Sequence, residues 1–71
     1  MKFGVVVEKD ENGYYVASVP ELPGCHTQGK SLDEVIERIK EAIQVYLEAE
    51  EGRNHERTEL VGVQFVEVQA E

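Results

Sequence analysis

Hydrophobic and polar positions change their period along this chain, and the changes mark out its elements. Phe3-Gly4-Val5-Val6-Val7 and Tyr14-Tyr15-Val16-Ala17-Ser18-Val19 are short runs rich in β-branched and aromatic residues, which read as strands. Between them lies Asp10-Glu11-Asn12-Gly13. Asn-Gly is a strong hairpin signal because both residues tolerate positive φ. Pro20 ends the second strand, since proline brings no N–H to a ladder. Glu21-Leu22-Pro23-Gly24 then reads as a turn, and Cys25-His26-Thr27-Gln28 as a brief third strand before Gly29.

Beyond Lys30 the pattern becomes helical. Ser31-Leu32-Asp33-Glu34 is a capping box, with serine at the N-cap and glutamate three residues later. Leu32, Val35, Ile36, Ile39, Ile43, Tyr46 and Leu47 recur at spacings of three and four and form one apolar stripe. Glu37, Arg38, Lys40, Glu41, Gln44 and Glu48 occupy the other face, where Glu34 and Arg38 can pair. The spacing predicts a helix from Leu32 to about Glu51, with Gly52 as its C′ residue. A polar loop over 53–59 leads to Leu60-Val61-Gly62-Val63-Gln64-Phe65-Val66-Glu67-Val68, a last strand.

The order β-β-β-α-β predicts an α+β fold over residues 1–71, one domain, with a mixed four-stranded sheet in the order 3-2-1-4 and one helix on one face. Phe3, Val5 and Val7 share a face of the first strand, and Val61, Val63 and Phe65 a face of the last; these sets are expected to meet the helix. Val6, Val66 and Val68 then point to the uncovered face. Together with an edge strand of few charges, they predict an interface that closes a homo-oligomer, a dimer or a tetramer.

Charge and cysteine content narrow the function. Fifteen acids against seven bases leave a net charge of −8. No basic stripe is present, which argues against direct nucleic-acid binding, since that depends on Lys and Arg at phosphates. An acidic surface suits a basic protein partner. Cys25 is the only cysteine, so no disulfide can form within the chain, and one thiol fits a reducing cytoplasm. No run approaches the length needed to span a membrane, and the N-terminal apolar stretch is too short for a signal peptide.

Catalytic chemistry finds little support. Cys25 and His26 invite a dyad, but neighbours on a strand point to opposite faces and cannot hydrogen-bond side chain to side chain. A zinc site from Cys25, His26 and His55 lacks a metal-spacing motif. No cofactor is called for, and no Gly-rich phosphate loop is present.

The run from Gly13 to Gly29, with Val19-Pro20-Glu21-Leu22-Pro23-Gly24-Cys25-His26-Thr27-Gln28-Gly29 at its centre and Ser31-Leu32-Asp33-Glu34-Val35 after it, resembles the N-terminal domain of HicB-like antitoxins. The match in order and spacing covers roughly the first fifty residues. The resemblance implies a trimmed ribonuclease-H-like sheet with one helix, and a non-enzymatic role: binding a small basic toxin ribonuclease, HicA-like, and covering its active histidine. Many members carry a second, DNA-binding module; the run to Glu71 shows none, so repression of an operon is not expected of it. A stand-alone oligomeric scaffold or regulatory domain is the alternative. A divalent-metal nuclease would need clustered carboxylates around Glu8, and the remaining acids are spread over helix surface and loops.

For partner contact the candidates are the rigid turn Pro20, Glu21, Leu22, Pro23 and Gly24, with Leu22 expected at the surface, and the pair Tyr14 and Tyr15. The two tyrosines fall on opposite faces of their strand, one toward the core and one outward as an interface anchor.

Overall fold

The computed structural model of the chain describes residues 1–50 and 58–69. Three strands, β1 (Val6–Lys9), β2 (Tyr15–Ser18) and β3 (His26–Gly29), precede one helix, α1 (Leu32–Ala49). The strands form an antiparallel sheet in the order β1-β2-β3. Register places Val7 opposite Ala17 opposite Thr27, and Lys9 opposite Tyr15 opposite Gly29; this face meets α1. Val6, Ser18 and His26 make a row on the other face, followed by Glu8, Val16 and Gln28.

Local chemistry explains each connection. At the first hairpin the Asp10 carboxylate accepts from the N–H groups of Asn12 and Tyr14, each at 2.9 Å, and Gly13 N–H donates to the Asp10 carbonyl at 3.1 Å. Only Gly13 takes a positive φ there, at 86°. The loop is therefore an aspartate-closed turn followed by a left-handed glycine, not the turn with Asn12 and Gly13 both at positive φ that Asn-Gly suggested. Two turns then share Leu22: its N–H donates to the Val19 carbonyl at 3.0 Å, and its carbonyl accepts from Cys25 N–H at 2.9 Å. Pro20 and Pro23 set φ just after the first residue of each turn, and Gly24 supplies the positive φ of 84° that the second requires.

The helix starts as expected. Ser31 is extended at φ −138° and ψ 163°, and its hydroxyl accepts from Glu34 N–H at 3.1 Å. The return arm reaches one residue further back, with Glu34 Oε1 accepting from Lys30 N–H at 2.8 Å. Gly29 is needed here, because a Cβ would lie 3.0 Å from both Glu34 Oε1 and Val35 N. The helix ends at Ala49 with Glu50 as C-cap, slightly before the expected Glu51; Gly52 lies outside the described residues.

Ala17, Val19, Leu22, Cys25, Val35 and Ile39 form the buried core, with Phe3, Val5, Tyr15, Ile36, Ile43, Tyr46 and Leu47 packed around it. Most of the predicted stripe is thus used. Leu32 is the exception, at 51% exposed.

The fourth strand is a correction. Among the described residues the sheet has three strands in the order β1-β2-β3, not four in the order 3-2-1-4. Residues 58–69 carry no ladder, turn or bend. Val61, Val63 and Phe65, expected against the helix, are exposed, as are Val66 and Val68. A parallel partner for β1 must arrive by a crossover, and such a pairing gains nothing until sheet and helix have docked, whereas each of the three hairpin-linked strands pairs with its neighbour in sequence.

Candidate functional site

The turn over residues 20–24 ties the molecule together as much as it presents a surface. Leu22 is 0% exposed and sits in the core, so the expectation of a surface leucine is overturned. The physical reason lies in the two shared turns, which fold Leu22 back under the sheet with Val19 and Cys25. Glu21 is half-buried, and its Oε1 accepts from Gly4 N–H at 2.9 Å, fixing the approach to β1. The Pro20 carbonyl accepts from the Thr58 hydroxyl at 3.1 Å. Pro20, Pro23 and Gly24 remain exposed, so the outer rim of the turn is two prolines and a glycine held rigidly from inside.

Beside this rim, an open trough of about 630 Å³ runs between β3 and α1, lined by Gly24, Cys25, His26, Thr27, Arg38 and Glu41 among others. Arg38 is held across it: one guanidinium nitrogen donates to the Gln28 carbonyl at 3.0 Å, and the other lies 3.8 Å from Glu34. Lys40 lies 3.4 Å from Glu37. Both of the helix's cations are therefore engaged with its own carboxylates, while Asp33, Glu41 and Glu48 add acid to its exposed side. Exposed pairs of this sort contribute little stability. Their effect is to leave the outer face of α1 dominated by negative charge.

The tyrosines divide between the faces as strand alternation requires. Tyr15 packs against the core, with Lys9 Nζ 5.4 Å from its ring centroid. Tyr14, just before β2, is half-buried and lines a small surface depression with Gln28, Lys30 and Arg38. Gln28, Lys30 and Arg38 as companions of Tyr14 were not legible in the sequence; the pairing of β2 with β3 and the bond from the Arg38 guanidinium on α1 to the Gln28 carbonyl bring them together.

Cys25 and His26 are separated as expected. Cys25 is buried, and desolvation pushes its thiol above the ordinary value, which favours the protonated form. His26 is exposed, with Nδ1 3.1 Å from the Gly24 carbonyl. His55 lies outside the described residues. Among the described residues no group of three or more His, Cys, Asp or Glu side chains is placed to hold a metal ion. Glu8 sits on the open sheet face opposite Val16. Val6 shares that face, but Val66 and Val68 belong to the tail, and among the described residues no sheet joins them to Val6. The open face is consequently mixed, with Val6 and Val16 set among Glu8, Ser18, His26 and Gln28, instead of the apolar patch expected.

Residues 3–69 fit the family model described as the HicB_like antitoxin of bacterial toxin-antitoxin system. The chain belongs to the HicB-like antitoxin family. Its fold resembles the crystal structure of the N-terminal domain of the Burkholderia pseudomallei antitoxin HicB, with a TM-score of 0.70, 35% identity, and coverage of 86% of this chain and 74% of that one. The UPF0150 protein of Archaeoglobus fulgidus is 65% identical over 68 residues, 96% of each chain. A UPF0150 protein of Synechocystis is 39% identical over 67 residues, 94% of each chain. Among the described residues no helix is long and apolar enough to cross a membrane.

Proposed function

We propose that this chain acts as an antitoxin that binds a small, basic, HicA-like toxin ribonuclease and occludes its RNA-binding face, without catalysis of its own. The observation that carries this reading is the match to the HicB-like antitoxin model across residues 3–69. Charge supports it: a chain with net charge −8, whose helix turns acid outward, complements a cationic RNA-binding surface and speeds encounter with it. Contact falls to the rim of Pro20, Pro23 and Gly24 and to Tyr14. Glu21, Leu22 and Tyr15 serve the same surface from within by holding it in place. Rigid turns lose little entropy on binding, which favours them as contact points.

On this reading residues 1–71 work as one HicB-like domain, in the cytoplasm, and self-associate as a dimer or tetramer. A stand-alone oligomeric scaffold or regulatory domain without a toxin is the second reading, and the five exposed hydrophobic residues between Val61 and Val68 favour it. A metal-dependent nuclease draws no such support, since among the described residues no cluster of acids surrounds Glu8.

The test mixes the pure protein with the product of a neighbouring basic reading frame and follows mass by size exclusion with light scattering, and RNA cleavage in parallel. A hetero-complex that abolishes cleavage is expected, weakened at least tenfold by Tyr14→Ala, the loss of about 1.4 kcal/mol in binding. A toxin that cleaves RNA unhindered at saturating antitoxin would overturn the proposal.

A further inference from the structure

β3 is an edge strand, since the sheet order is β1-β2-β3. Its backbone polarity can be read from two hydrogen bonds. The Cys25 carbonyl accepts from Val19 N–H at 3.0 Å, so it faces β2. In an antiparallel ladder alternate residues turn both backbone groups to the same neighbour. Thr27 and Gly29, opposite Ala17 and Tyr15, therefore face β2 as Cys25 does, and His26 and Gln28 turn their N–H and C=O groups outward. The Arg38 guanidinium agrees with this parity: it reaches from α1 and donates to the Gln28 carbonyl at 3.0 Å, from outside the sheet.

Beneath this edge lies the open trough of about 630 Å³. Cys25 and Thr27 form its wall on the strand side. On the helix side Ala42, Val45 and Ala49, spaced by three and four, make a ridge beside the stripe that packs in the core. Val45 is 64% exposed, although it is the largest apolar side chain of that ridge. The helix thus extends an apolar shelf past β3, where the next strand of a sheet would lie about 4.8 Å away.

Charge decides what fits there. Glu41 stands on the trough wall, and the one cation beside it, Arg38, is already engaged with Gln28 and Glu34. A second copy of the chain would bring its own Glu41 and its own net charge of −8 to the same place, which like-charge repulsion disfavours. A basic segment meets the opposite field. The edge also runs from Gly24 to Lys30, and so joins the rim of the turn to the depression at Tyr14.

We propose that β3 is a docking edge, to which an extended, basic segment of a partner protein adds as a further strand. Its backbone pairs with His26 and Gln28, its inward side chains lie on the shelf of Ala42, Val45 and Ala49, and a cationic side chain meets Glu41. Arg38 holds the place of that strand: an incoming N–H replaces its guanidinium at the Gln28 carbonyl, and the released side chain closes on Glu34. The proposal rests on the antitoxin reading above and assigns the strand to the toxin.

The test uses the full ¹⁵N-labelled chain, alone and mixed with the product of the neighbouring basic reading frame. In the complex, hydrogen exchange at the His26 and Gln28 amides is expected to slow by about tenfold or more, with little change at Thr27 and Gly29, which already face β2. Val45→Glu, at an exposed helix position where helical circular dichroism should persist, is expected to weaken binding by about tenfold. Simple attraction between an acidic and a basic protein predicts the opposite sign, since the variant adds an acid. Arg38→Met should bind as well as the wild-type chain, and a loss matching that of Val45→Glu would overturn the placement of the strand. A tight complex with unchanged exchange at His26 and Gln28 would sink docking at β3 and leave the antitoxin reading standing. Slowed exchange at the same amides in the protein alone, rising with its concentration, would give the edge to a second copy and overturn the proposal. If no complex forms, the antitoxin reading falls and the docking edge falls with it.

Discussion

Two stretches written in much the same alphabet come to opposite ends. Ala17, Val19, Leu22 and Cys25, from β2 and the turn after it, are buried in the core. Val61, Val63, Phe65, Val66 and Val68 are exposed in the tail. Hydropathy does not separate them, since the tail is the more hydrophobic of the two. Distance to a partner does. Each apolar residue of the first stretch finds its neighbours through a hairpin, a turn or the next element along the chain, whereas the tail needs an apolar groove, between the start of the first strand and the helix, whose two walls are more than thirty residues apart in sequence. Burial requires a surface already assembled to receive the side chain, and hydrophobicity alone does not supply one.

Substitutions test this division most sharply where they should hurt most. Leu22→Ala removes a side chain shared by two turns and the core, and a loss of about 2–5 kcal/mol in unfolding free energy is expected from urea denaturation followed by circular dichroism. For a chain this small, whose total stability is on the order of 0.05–0.15 kcal/mol per residue, that loss approaches unfolding. A change below 1 kcal/mol, by contrast, would mean that the body is less of a unit than its packing implies. Ser31→Ala should cost about 1 kcal/mol by removing the hydroxyl that accepts from Glu34 N–H, while Ser31→Asn should be close to neutral, since asparagine caps as well. Phe65→Ser, measured at a concentration where light scattering shows the protein to be monomeric, should shift stability by no more than about 0.5 kcal/mol despite deleting an aromatic ring. A loss approaching that of Leu22→Ala would place Phe65 in the core of its own chain and erase the contrast between body and tail.

Much of the body was legible from local signals. The capping box at Ser31 and Glu34 located the start of α1, and the spacing from Val35 to Leu47 marked the face that packs. Pro20, Pro23 and Gly24 announced the turns between β2 and β3. The candidate surface was legible in part. The opposition of Tyr14 and Tyr15, and of Cys25 and His26, followed from strand alternation. The burial of Leu22 did not, because a leucine between two prolines looks the same in sequence whether its turn folds it outward or under the sheet. Nor did the engagement of Glu21 with Gly4, which depends on the approach to β1 lying beside the turn seventeen positions away.

What this sequence determined by itself is therefore the set of elements that close on their neighbours: two hairpin-linked strand pairs, a capped amphipathic helix and the turns between them. Each rests on interactions a few residues apart, where spacing and side-chain chemistry decide the outcome. Only the tertiary structure decided the fate of the last strand. Its alternation makes it fit for a sheet, but no local interaction tells it which edge to join. The answer depends on an apolar groove that exists only once helix and sheet have packed, and the chain arrives at the rim of that groove without filling it.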